Sequence, residues 1–135
     1  MRAVDTNILA RFFVDDPDDA EATEQRSAAM RVMSGPVFVP VTVLLEFEWV
    51  MRGFYALSRN DVARVFRALC GLANVTIEDR NAVLTALEWH SHGADIADAL
   101  HLARSARCES FVTFDRKLAR RAARLEDAPR VELAV

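Results

Sequence analysis

Four acidic residues, Asp5, Glu46, Asp98 and Asp115, lie far apart in the chain, yet each occupies a position from which its carboxylate can reach one edge of an α/β domain. In a parallel sheet, ligands bind outside the carboxyl ends of the strands, near a switch in strand order. Asp5 directly follows the predicted first strand, and Asp115 directly follows the most strongly β-like later run, Ser110 to Phe114. Glu46 lies one turn into the helix after the second strand, and Asp98 lies in the first turn of a helix that Asp95 opens. Convergence of such groups is costly: two carboxylates ~5 Å apart repel by about 3 kcal/mol at an effective dielectric of about 20. Either pKa values rise or a divalent cation compensates. Donors that are all oxygen favour a hard ion, Mg²⁺ or Mn²⁺, over zinc. Such an ion positions a water, lowers its pKa and neutralises charge that builds on a phosphodiester.

Each acid also has a plainer role open to it. Asp5, Asp95 and Asp115 all stand where a helix begins and suit N-caps; Asp95 can also assist a metal held by Asp98. Glu46 and Glu48 are two apart and face different sides of their helix, so only one of them faces the site. Asp98 sits among Ile96, Ala97, Ala99 and Leu100, where a carboxylate needs a partner. His90 and His92 are too close in sequence for an i, i+4 metal pair, and His101 reads as a surface or packing residue. No Ser-His-Asp or Cys-His arrangement, phosphate-binding glycine loop or CxxC pattern is present. Arg116, Lys117 and Arg120 open a basic stretch after Asp115 that can track an RNA backbone or simply form a solvated face.

The elements that must position these groups follow from the pattern of apolar residues. The 135 residues suit one domain, residues 1–135, and a composition of 52% hydrophobic and 27% charged residues is globular. A net charge of −3 excludes attraction of nucleic acid by bulk charge. Short apolar strands are predicted at Arg2–Asp5, Val37–Val39, Val75–Ile77, Ser110–Phe114 and Val131–Val135, alternating with helices. Asp16 with Pro17, Thr42, Ser58, Asp79 and Asp95 are the expected helix starts. This alternation implies a parallel sheet covered by helices. Cys70 and Cys108 read as reduced core residues. The helix carrying Leu44, Leu45, Phe47, Trp49, Val50 and Met51 is apolar nearly all round, which suggests its own core on one side and a second chain on the other. No segment is long and apolar enough to span a bilayer, and a soluble, cytoplasmic protein is expected.

Four motifs, in order, resemble a known family. VDTNIL with Asp5, Thr6 and Asn7, VTVLLEFEWV with Thr42 and Glu46, GADIADALHLA with Asp98, and FVTFDRKLA with Thr113 and Asp115 look like the four motifs of PIN-domain nucleases. The compact form is similar to VapC-type toxins of toxin–antitoxin pairs. The resemblance implies a three-layer α/β sandwich with a central parallel sheet of four to five short strands. It implies Mg²⁺- or Mn²⁺-dependent hydrolysis of RNA, with Asp5, Glu46, Asp98 and Asp115 as the catalytic, metal-binding acids. Thr6, Asn7 and Thr113 would support them. It also implies a homodimer and a VapB-like antitoxin covering the site. Two rival readings are a non-catalytic protein- or RNA-binding module of the same fold and a small-molecule phosphatase; Asn7, standing where a second aspartate is needed, speaks against an aspartyl-phosphate phosphatase.

Overall fold

The computed structural model describes all 135 residues and is mixed α/β, with seven α-helices and five short strands. Its contacts divide into two compact units, Met1–Arg80 and Asn81–Val135. All the expected strands form, and every pairing is parallel, but hydrogen bonding separates them into a group of three and a group of two.

In the first unit, β1 (Arg2–Ala3), β2 (Val37–Val39) and β3 (Val75–Ile77) lie side by side in chain order. Arg2 pairs with Val37, and Val37 with Val75, so the carboxyl ends of all three strands share one edge. Helices α1 (Thr6–Phe13), α2 (Ala20–Met33), α3 (Val41–Trp49) and α4 (Arg59–Cys70) supply the rest. The core holds Leu9, Val37, Val39, Leu44, Phe47 and Met51, each buried completely or nearly so. Burial of such side chains stabilises by about 1.5–3 kcal/mol apiece. Phe47 anchors the centre, with its ring 6.1 Å from both Phe13 and Phe66.

Two expected helix starts are corrected. Asp19, not Asp16, caps α2, its carboxylate accepting from the backbone N–H groups of Glu21 and Ala22. Asp16 instead opens a turn closed by the Asp19 N–H on its carbonyl, with Pro17 in the second position that its fixed φ favours. Thr42 does not cap α3; Pro40 precedes the helix, and the exposed end is satisfied by Glu78, whose carboxylate accepts from the Val41 N–H at 2.9 Å. Ser58 caps α4 through the Asp61 N–H, as expected.

Beyond Trp49 the helix widens into a π-helical turn, Val50–Phe54, which rotates the faces of the apolar segment. Met51 is fully buried while Trp49 and Phe54 are exposed.

The second unit contains α5 (Arg80–Ser91), which begins at the unit boundary, α6 (Ile96–Ala103), β4 (Phe111–Thr113), α7 (Arg116–Ala122) and β5 (Val131–Leu133). Phe111 pairs with Val131 and Thr113 with Leu133. Helix α5 stops before Gly93, whose φ of +101° is one that residues bearing a side chain rarely adopt. The Trp89 indole donates to the Glu126 carbonyl at 3.1 Å, tying α5 to the turn beyond α7. Cys70 is buried as expected, but Cys108 is exposed, because it falls in the turn between α6 and β4 rather than in either element. No helix is long and apolar enough to cross a membrane.

Candidate active site

At the carboxyl edge of the three-stranded sheet, Asp5 ends the β1 segment and caps α1, its Oδ1 accepting from the Ile8 N–H at 3.2 Å. That bond leaves Oδ2 uncommitted. The next residue, Thr6, is buried and donates its hydroxyl proton to Glu46 Oε1. This bond joins the first turn of α1 to the middle of α3. Glu46 is otherwise exposed, so its second oxygen faces solvent.

The two glutamates have different surroundings. Glu48 is buried and taken up by Arg52 one turn later, with Nε 3.0 Å from Oε2. It is a structural partner within the helix. Glu46 is the one that meets Thr6, next to Asp5. Asn7 is exposed on α1 and makes no side-chain hydrogen bond within the protein. Sequence reasoning passed over Glu78, which closes β3 as Asp5 closes β1 and fixes the start of the helix bearing Glu46. Its place directly after a predicted strand was the available signal.

The second unit gathers Asp95, Asp98 and Asp115 around a cavity of about 130 Å³. Asp95 caps α6 by accepting from the Asp98 N–H at 3.2 Å, which fixes the backbone of Asp98 itself. Asp115 caps α7 through the Leu118 N–H at 3.1 Å. The Thr113 hydroxyl accepts from the Asp115 N–H at 3.0 Å and sets the turn between β4 and that cap. Lys117 and Arg121 line the same cavity, and Ala99, Leu102 and Leu118 give it apolar walls. Arg121 was not singled out from the sequence; it also donates to the Gly93 carbonyl at 2.7 Å. Of the three basic residues that were, Lys117 lines the acidic cavity, Arg120 lines a neighbouring groove, and Arg116 lines neither.

Burial pushes the Asp98 carboxyl above the ordinary aspartate range; the charges of Asp95 and then Asp115 push the same way, while His101 and Arg121 pull it back. His101 faces Phe111 as well, ring on ring at 6.4 Å.

The donor chemistry fits a hard divalent ion. Every candidate ligand is a carboxylate, the donor type that such ions take. No group of three or more His, Cys, Asp or Glu side chains is placed to hold a metal ion in this structure.

Comparison with known proteins gives one family: the model of the PIN domain matches residues 2–124. No curated protein matches the chain.

Proposed function

The chain belongs to the PIN-domain family, and on that premise we propose that it is a divalent-metal-dependent endoribonuclease. PIN domains are generally metal-dependent nucleases. The observation that carries the reading for this chain is Asp98, partly buried beside Asp95 and Asp115 with its carboxyl raised by burial and by their charge. Asp5, Glu46, Asp98 and Asp115 are the residues that would hold Mg²⁺ or Mn²⁺. When bound, such an ion lowers the pKa of water and offsets the charge that develops on a phosphodiester.

The protein's own groups have separate tasks in this reaction. Thr6 fixes one oxygen of Glu46 and leaves the other free. Asp95 and Thr113 hold the backbones that present Asp98 and Asp115. Lys117 and Arg121 bring positive charge to the rim of the acidic cavity, where a substrate phosphate would otherwise meet only carboxylates. Water adds to phosphorus as one P–O ester bond breaks, and its proton passes through solvent to the leaving oxygen, so that one end carries a phosphate and the other a hydroxyl.

Likeness to VapC-type toxins supports a finer reading, in which the protein is the toxin of a type II toxin–antitoxin pair. It would act as a cytoplasmic homodimer restrained by a VapB-like antitoxin. The exposed Trp49 and Phe54 support the presence of a partner.

The test is cleavage of RNA with Mg²⁺, with Mn²⁺ and with EDTA. Wild type is expected to cleave only with metal. Asp115→Asn retains a capping side chain and the fold but loses activity by about a hundredfold or more. Metal-independent cleavage, or equal rates for wild type and variant, would overturn the assignment.

A further inference from the structure

Beside the acidic cavity, and sharing Lys117, Arg121 and Leu125 with it, runs a groove of about 1170 Å³ within the second unit. Leu84, Thr85 and Glu88 of α5 line it, as do Lys117, Arg120 and Arg121 of α7 and Arg124 just beyond. Lys117, Arg120, Arg121 and Arg124 follow the i, i+3, i+4, i+7 spacing that places side chains on one helical face. The Arg124 N–H bonds to the Arg121 carbonyl, which carries the turn on past α7.

The charge on this face is largely unspent. Arg121 is committed to the Gly93 carbonyl, but Lys117, Arg120 and Arg124 are exposed and have no carboxylate within ion-pair distance. Glu88, Glu126 and Asp127 also line the groove; Glu88 is engaged by His92 at 3.2 Å. Leu84 adds an exposed apolar surface on the opposite wall.

We infer that this groove is the track for a single RNA strand, with Lys117, Arg120 and Arg124 on successive phosphates and Leu84 against a base or sugar. The inference rests on the nuclease reading above and extends it to how substrate is held. A stripe of unpaired cations recurring about every helical turn, 5.4 Å, suits a repeated anion better than a single one. The apolar wall suits a strand whose bases are unpaired. Continuity with the acidic cavity favours a polynucleotide over an acidic peptide.

The experiment is fluorescence anisotropy of a labelled single-stranded RNA in EDTA, across a range of salt concentrations. Combining Lys117→Ala, Arg120→Ala and Arg124→Ala is expected to weaken binding by about tenfold or more. It should also make the slope of log affinity against log salt shallower by about 2, at about 0.7 for each phosphate no longer neutralised. Leu84→Ala is expected to weaken binding without changing that slope. Combining Arg31→Ala, Arg64→Ala and Arg67→Ala removes equal charge from exposed positions on α2 and α4, and should leave both quantities unchanged.

Equal losses in the two triple variants, or no loss in either, would overturn the inference. So would tighter groove-dependent binding of a poly-glutamate peptide than of RNA. Cleavage with metal is measured separately. A protein that cleaves RNA but ignores the groove substitutions refutes the groove alone. One that binds RNA through the groove and never cleaves it supports the groove and refutes the nuclease.

Discussion

The Thr6 hydroxyl donates to the Glu46 carboxylate, joining the residue after Asp5 to the middle of α3 across 40 positions of sequence. Because Thr6 is buried and Glu46 exposed, the bond holds a solvent-facing acid from a rigid base. Thr6→Val keeps the shape and removes the donor. It is expected to cost about 1 kcal/mol of stability, read as a lower Tm, and to reduce RNA cleavage by about tenfold. Thr6→Ser should recover most of both. Unchanged cleavage in Thr6→Val would show that Glu46 does not depend on this hydrogen bond.

Asp5 has two jobs that substitution can separate. Its carboxylate caps α1, and asparagine caps about as well as aspartate. Asp5→Asn should therefore unfold within about 0.5 kcal/mol of wild type while losing metal-dependent cleavage. Asp5→Ala should lose cleavage and a further ~1 kcal/mol of stability. Denaturant unfolding and a cleavage assay on the same samples check both. An Asp5→Asn enzyme as active as wild type would remove Asp5 from the catalytic set.

Glu46 and Glu48 should behave in opposite ways. Glu46→Gln is expected to abolish cleavage with little change in Tm. Glu48→Gln removes a buried charge from its pair with Arg52. The Arg52 side chain is 53% exposed, so solvent screening limits the loss to about 1 kcal/mol. Cleavage should persist in Glu48→Gln at temperatures below its midpoint. The reverse pattern would assign Glu48 to the site.

The raised pKa of Asp98 has a consequence for stability in the absence of metal. The folded state binds the proton more tightly than the unfolded state, whose value lies near 3.8. The associated stabilisation is complete below that value and is lost as pH rises through the folded value. In EDTA, wild type should lose Tm relative to Asp98→Asn as pH rises from about 4, and the difference should level off once Asp98 is ionised in both states. At neutral pH, Asp98→Asn should be at least as stable as wild type. A Tm difference independent of pH would mean that burial and the neighbouring charges do not raise the Asp98 pKa.

The local chemistry of the chain was legible in its sequence. Asp5, Asp95 and Asp115 each precede an apolar helical segment and cap it, since a cap needs only an acceptor within three residues of free N–H groups. The five strands and the α/β class followed from short apolar runs punctuated by turn residues, and membership of the family followed from the order of its motifs.

What tertiary structure alone decided involves partners distant in sequence. Glu78 supplies the cap for α3 from 37 positions away, where Thr42 was the obvious local candidate. The π-helical turn Val50–Phe54 breaks the 3.6-residue period, so no count of apolar positions could show that Met51 goes inward while Trp49 and Phe54 face out. The roles of Glu46 and Glu48 likewise depended on Thr6 and Arg52 and on which side of α3 the core closed over. Short-range hydrogen bonds are set by spacing along the chain; burial and long-range pairing are set by which surfaces exclude water together, and that is a property of the packed chain.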